Sequence, residues 1–337
     1  MSKKLIIAGY NNFNLGDDLM FASIINQTKY DEYFMYGPPI KPYFVEKNIK
    51  FIKNGKLEAV RWKFNSDFAL VGGSLFMGDN EINLNRFDWK TKLFKRNKLF
   101  GGRNFVVGAN LGPFNDKEVY LKKLSEVARF VDLWLVRDDF SAKLLSELGV
   151  ENFKVIPDVV MSLDMSTYKT KKLSKMVSIS VTKVEKDGNR LVKQSDFEGE
   201  VCTLCNKFIK NGYMVNLLSF EDSNDISVAK VIKNRVNSQD IEIVSYKGDN
   251  ILEKIAESEF LISTRFHCMI IGALLNKKQI IYEYSEKTSN FAKKYGFEVQ
   301  KITGDVSGKD FWDTAFEYNE KEIAKMAIKS MEQFDGN

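Results

Sequence analysis

Residues 263–275 read STRFHCMIIGALL and hold His267, the only histidine of the chain. Arg265 stands two places before it, where the apolar run FLIS (260–263) ends and helical spacing begins. Phe266, Met269, Ile270, Ala273 and Leu274 recur at i, i+3, i+4, i+7 and i+8, one buried helix face. His267 falls at the margin of that face, in the first turn, and Ser263 or Thr264 is expected to cap it. First-turn backbone N–H groups together with an arginine suit a carboxylate or a phosphate. The arginine disfavours an imidazolium and a bound dianion favours it, so the ring would take up its proton as such a ligand arrives. A buried imidazole bonded to a backbone carbonyl is the other reading, and residue types leave both open.

Further candidates follow other apolar runs. GYNNFNLGDD supplies Gly9, Asn14, Gly16, Asp17 and Asp18 without the G-x-G-x-x-G spacing of a dinucleotide site. Two carboxylates at a helix start repel phosphate; they suit sugar hydroxyls, or a proton to be removed from one. They serve the helix dipole equally well. ALVGGSLFMGD ends a run in Gly72, Gly73 and Ser74, either a close backbone approach for a ligand or a tight turn. It lacks the Gly-Lys-Ser/Thr of a P-loop. VVGANLGPF places Asn110 in the corresponding position, and LWLVRDDFSAKLLSELG places Arg137 there, as an anion ligand or one half of an ion pair. Lys287, in YSEKTSNF, opposes the dipole preference of a helix start and is better explained by an anion.

Alternating elements must position these residues. KLIIAGY, EYFMY, IKFI, DFALVGGS, NFVVGANLG, DLWLVRD and FKVIPD read as strands; 17–28, 116–130 and 141–149 read as helices. The lysine-rich stretch 164–175 interrupts the alternation. It then restarts through MVSISVT, a helix near 194–210, YMVNLLSF, a helix near 225–236, IEIVSY, the helical ILEKIAESE, FLIS and KQIIYEYS. The expectation is an α/β chain of two facing, doubly wound domains with parallel sheets, residues 1–168 and 169–337, the last helix crossing back to the first. Ligands of such sheets bind beyond the carboxyl ends of the strands.

The net charge of +5 from 50 basic and 45 acidic side chains is too small for a nucleic-acid partner. Cys202 and Cys205 form a C-x-x-C that one histidine cannot complete as a zinc site, and three cysteines make no paired framework. Neither a signal peptide nor a membrane-spanning run is read, so the expected location is cytoplasmic, extending to the inner face of the membrane. That extension rests on 83–103, NLNRFDWKTKLFKRNKLFGGR, which interleaves Lys90, Lys92, Lys95, Arg96, Lys98 and Arg103 with Phe87, Trp89, Phe94 and Phe100. It suits either an anionic membrane surface or a solvated helix with its apolar side packed on the domain.

In order along the chain, NLGDD, GGS, GANLGP, VRDDFSAKLLSELG with PD after it, STRFHCMIIGALL and YSEK resemble the polysaccharide pyruvyltransferase family. The resemblance runs from about residue 4 to 290, and SxRxH leading into an apolar helix is its most specific part. The serine in Gly72-Gly73-Ser74 and the asparagine in GANLGP depart from the usual pattern. The resemblance implies a GT-B-like fold of two Rossmann-like domains, the second holding the donor and the first the acceptor. It implies transfer of a pyruvyl group from phosphoenolpyruvate to a hydroxyl pair of a surface-polysaccharide precursor (capsule or exopolysaccharide, lipid-linked acceptors included). The products are a ketal and phosphate, and neither metal nor cofactor is expected. Arg265, His267, Asp17 and Asp18 become the catalytic candidates; Asn14, Gly16, Gly72, Gly73, Ser74, Asn110, Arg137, Ser263, Thr264 and Lys287 become substrate-binding candidates. Two rival readings share the architecture: a glycosyltransferase with a nucleotide-sugar donor, and a non-catalytic sugar-binding relative.

Overall fold

The structure is a computed structural model that describes residues 2–10, 13–37, 40, 45, 47–52, 66–169, 174–184, 192–283, 286–302 and 320–332. The chain divides into two compact units. The first comprises Met1–Asn12, Asp17–Leu163 and Lys321–Asn337, the second Phe13–Gly16 and Asp164–Glu320.

The first unit contains β1 (Lys4–Gly9), α1 (Leu15–Gln27, from Asp17 on), β2 (Glu32–Tyr36), β3 (Ile49–Ile52), β4 (Ser66–Val71), α2 (Glu81–Leu99), β5 (Asn104–Ala109), α3 (Lys117–Ala128), β6 (Leu133–Val136), α4 (Asp139–Glu147) and β7 (Phe153–Val155). Its seven strands are all parallel, in the order β3-β2-β1-β4-β5-β6-β7. Strands covered on both faces lose the polar alternation of a half-exposed sheet, which is why β1 and β5 read as unbroken apolar runs. α3 is typical of the covering helices. Asp116 Oδ1 accepts the N–H groups of Glu118 and Val119 at its start, and Tyr120, Leu124 and Val127 form its buried stripe.

The second unit contains α5 (Ser166–Lys169), β8 (Ser174–Val181), α6 (Gln194–Lys210), β9 (Met214–Ser219), α7 (Asp222–Val236), β10 (Ile241–Ser245), α8 (Ile251–Glu257), β11 (Ser258–Ser263), α9 (Phe266–Leu274), β12 (Lys278–Glu283), α10 (Glu286–Tyr295) and β13 (Gln300–Lys301). Its sheet is again wholly parallel, in the order β10-β9-β8-β11-β12-β13. α11 (Glu320–Met331) counts with the first unit from Lys321 on.

Each sheet starts near its middle, is built outward on one side, and then returns to the other. The order therefore reverses between β1 and β4 in the first unit and between β8 and β11 in the second. At such a switch point adjacent crossovers run to opposite sides, which opens a crevice at the carboxyl ends of the two strands. β1 and β4 pack closely enough that a β-carbon on Gly9 would land on the Val71 carbonyl oxygen and 3.0 Å from Phe21 Cζ.

Several element boundaries differ from the sequence reading: α1 starts at Leu15, α4 at Asp139 and α7 at Asp222, each two or three residues early, and one boundary changes the type of element. ILEKIAESE was read as helical throughout, but α8 stops at Glu257 and Ser258 already opens β11. Lys277 explains the early stop: its buried ammonium donates to the carbonyls of Ala256 and, at 2.8 Å, of Ser258. The last carbonyls of the helix are satisfied without another turn. β13 and α5, both short, carry too little periodicity to be read from sequence.

Candidate functional site

The second unit gathers the residues of the STRFH segment at its switch point, between the ends of β8 and β11. Ser180, next to last in β8, organises the turn. Its Oγ accepts the N–H groups of Thr264 at 2.8 Å and Arg265 at 3.2 Å, while Thr264 Oγ1 donates to the Ser180 carbonyl. Thr264 therefore does not cap α9, contrary to expectation, because its hydroxyl is committed to β8. Ser263 does not either: it ends β11, and its hydroxyl donates at 2.9 Å to Gln279 Oε1 and lies 3.4 Å from Cys268 Sγ. Arg265 is the cap residue, in extended conformation and with no side-chain cap bond.

The Arg265 guanidinium is held in place. Nη2 donates to Asp225 Oδ1, Nε donates to the Val181 carbonyl at 3.5 Å, and Glu221 Oε2 lies 4.0 Å from Nη2. Asp225, in the first turn of α7, is fully buried, and its other oxygen accepts the N–H groups of Phe220 (3.0 Å) and Glu221 (2.9 Å). Burial raises the Asp225 carboxyl above the ordinary carboxylate range, and the neighbouring Arg265 works against that rise. The corner that residue types suggested to be simply cationic is thus a paired one, with two carboxylates set against its arginine.

The N-terminal NLG turn completes this arrangement. Asn14 forms an antiparallel bridge with Glu221, and Leu15 N–H donates to the Phe220 carbonyl at 2.9 Å. Asn14 Oδ1 accepts the Gly16 N–H at 3.0 Å, the geometry of a helix cap at the start of α1. His267, half-buried in the first turn of α9, lays its ring against Gly16: an ideal β-carbon there would fall 2.6 Å from Cγ and closer still to Nδ1. Phe266 packs edge-on against the same imidazole, centroids 5.1 Å apart. Beside the turn, exposed Lys247 places its ammonium 4.5 Å from the centre of the Phe13 ring. Arg265, His267, Asn14 and Gly16 are therefore brought together, joined by Ser180, Glu221, Asp225 and Lys247, which the sequence reading did not single out. Asp225 opens a helix, where a carboxylate is explained by the dipole alone, so nothing in one dimension linked it to a residue forty places away.

The other candidates, Lys287 excepted, belong to the first unit. Asp17, half-buried, and Asp18, buried, occupy the third and fourth positions of α1. Gly72 has φ +143, open to glycine; its N–H donates to the Val107 carbonyl at 3.1 Å, and Asn110 N–H donates to the Gly73 carbonyl at 3.0 Å. The glycine pair thus forms a turn stitched to β5, with Ser74 exposed beyond it. Arg137 is the ion-pair case: Nη1 donates to Asp158, and Nε donates at 3.0 Å to Asn110 Oδ1. Its side chain is 2% exposed and that of Asp158 0%. Asp158 also accepts the Val160 N–H at 3.0 Å, and Asn110 donates to Asp138, the cap of α4. Arg137 and Asn110 therefore brace the loops after β5 and β6. Lys287 lies in α10, and its side chain is outside the described residues. No cluster of three or more metal-ligating side chains occurs among the described residues, and no helix there is long and apolar enough to cross a membrane.

The family model for polysaccharide pyruvyl transferases matches residues 14–286, which span Asn14, Gly16, the glycine pair, Arg137, Arg265 and His267. The chain belongs to this family. Solved structures share the fold across nearly the whole length. The UDP-GlcNAc 2-epimerase of Neisseria meningitidis, bound to UDP-GlcNAc, is 12% identical, covers 99% of this chain and 100% of its own, and superposes with a TM-score of 0.59. Anabaena HepE in complex with UDP-glucose is 9% identical over 98% of both chains, with a TM-score of 0.58. The epimerase of Methanocaldococcus jannaschii is 13% identical over 97% of this chain and 98% of its own, with a TM-score of 0.57. At these identities the likeness is one of fold: two Rossmann-like domains, GT-B-like, as the pyruvyl transferase resemblance implied. No curated protein matches the sequence.

Proposed function

We propose that this protein transfers a pyruvyl group from phosphoenolpyruvate to two hydroxyls of a saccharide acceptor, forming a ketal and releasing phosphate. The observation that carries the reading is the junction of Arg265 and His267 at the β8–β11 switch point, inside the segment most characteristic of the family. Arg265 arrives oriented by Asp225 and Val181, so little reorganisation is required when an anion reaches it. In the proposed reaction Arg265 and Lys287 meet the carboxylate and phosphate of the donor. His267, as imidazolium, gives its proton to the methylene carbon, which becomes the methyl group of the ketal, and the proton of the second hydroxyl leaves with the phosphate. An acceptor hydroxyl, relieved of its proton by Asp17 or Asp18, adds to the central carbon; phosphate leaves, and the neighbouring hydroxyl closes the ketal. No metal or cofactor enters the scheme. A surface-polysaccharide precursor, carried on a lipid or free, is the acceptor class.

Calorimetry with phosphoenolpyruvate against a panel of nucleotide sugars tests the donor. Binding of phosphoenolpyruvate, lost in Arg265→Met, supports the reading; tight binding of a nucleotide sugar with no response to phosphoenolpyruvate overturns it. The second outcome is the alternative that Glu221 favours, because a carboxylate beside Arg265 suits the hydroxyl pair of a ribose better than a dianion. A sugar-binding relative without catalysis would bind acceptor and release no phosphate.

A further inference from the structure

The basic-aromatic helix α2 resolves into two faces. Phe87, Phe94, Lys90 and Asn97 are buried, the two phenylalanines within the core of the first unit. The opposite face carries Ile82 (68% exposed), Trp89 (55%) and Leu99 (77%) among exposed Arg86, Lys92, Lys95, Arg96 and Lys98. Ile82, Trp89 and Arg96 follow one another at i+7, and Lys92 and Leu99 form a second such row beside it, so the two rows cover one face over about 26 Å of helix. Of the helix's acidic residues, Glu81 lies in the first turn and Asp88 is ion-paired with Lys123 at 2.6 Å. Large apolar tips therefore alternate with cations along a solvent-facing helix, and of those cations Lys98 is ion-paired with Asp132.

We propose that this outer face of α2 docks on an anionic phospholipid bilayer. Trp89 and Leu99 enter the headgroup layer, and Lys92, Lys95 and Arg96 meet lipid phosphates. Indole is suited to the boundary between headgroups and acyl chains, and a negative leaflet attracts each nearby lysine or arginine. The pattern argues against a protein partner, because the centre of a protein interface is depleted in lysine and the apolar residues here form no continuous patch. Phe87, Phe94 and Lys90, which belong to the same sequence pattern, take no part because the core already holds them. The inference is independent of the donor chemistry and stands or falls without it.

The test is co-sedimentation of the full chain with vesicles of phosphatidylcholine alone and of phosphatidylcholine mixed equally with phosphatidylglycerol. Binding to the mixed vesicles only, weakened by salt, is expected. Lys92→Glu with Arg96→Glu should lower the partition coefficient at least about tenfold. Trp89→Ala should lower it several-fold at high salt, where the apolar part remains. All these side chains are exposed, so thermal melting should not move. Lys210→Glu with Lys230→Glu, exposed cations of the second unit, is the charge-matched control and should retain binding. The proposal is overturned by absent binding or by equal binding to neutral vesicles. Equal loss in the control, or an α2 face whose variants change self-association rather than sedimentation, overturns it as well.

Discussion

The imidazole of His267 rests on the bare α-carbon of Gly16, so that a side chain at position 16 and the ring at position 267 cannot both keep their places. Gly16→Ala tests this. In an open helix the exchange would stabilise by up to about 1 kcal/mol. Here the clash should reverse the sign and cost about 1–3 kcal/mol, or force the ring to move. Because the chain has one histidine, its imidazole proton resonances are unambiguous. Unchanged resonances together with a raised melting temperature would contradict the contact.

Asp225 and Arg265 form a buried pair in which each member is costly alone. Asp225→Ala should destabilise by about 3–5 kcal/mol, and Arg265→Met combined with Asp225→Asn should recover part of that loss. Purely additive losses in denaturant melts would show that the two side chains do not act as a pair.

Arg137 and Asp158 should behave in the same way with respect to stability and differently with respect to ligand. Asp158→Ala should cost about 3–5 kcal/mol. Its charge is met inside the first unit, so the stable double variant Arg137→Met with Asp158→Asn should bind phosphoenolpyruvate as the unmodified chain does. A tenfold weaker affinity by calorimetry would return Arg137 to the ligand site.

Lys90 carries the clearest pH signature. Its ammonium is buried between Phe76 (4.9 Å) and Phe87 (5.3 Å), and burial lowers its pKa to about 8. Between that value and the ordinary lysine value the unfolded chain binds more protons than the native one. Stability from this group therefore rises as pH rises through the window from about 8 to 10.5. Lys90→Met should remove that slope and stabilise the protein at neutral pH, by at most about 3 kcal/mol. A slope that survives the substitution would assign it elsewhere.

His267→Gln should leave the melting temperature nearly unchanged and reduce phosphate release from phosphoenolpyruvate in the presence of acceptor by about 10²–10⁴-fold, the usual contribution of a general acid. Turnover within a factor of a few of the unmodified chain would remove the ring from the chemistry.

Strands such as KLIIAGY and FLIS, and helices such as α3 and α6, were legible because burial on both faces of a parallel sheet, or on one stripe of a helix, writes its period into consecutive residues. The junction at Arg265 and His267 was legible for the same reason, since a strand end and a helix start adjoin there. Long-range partners leave no such period. Whether Arg137 meets a ligand or an aspartate, and whether Thr264 caps its own helix or bonds to Ser180, depends on which segments the sheet order makes neighbours.

By itself, then, the order of residues determined the alternation of elements, the parallel sheets and the membership of the STRFH segment in a recognisable family, all of which rest on local spacing. Only the tertiary structure decided that Arg265 is paired with Asp225, that Gly16 seats His267, and that α2 turns Phe94 inward and Trp89 outward. Each of those depends on atoms far apart in the chain competing for the same few ångströms, and that competition is settled only when the sheets are assembled.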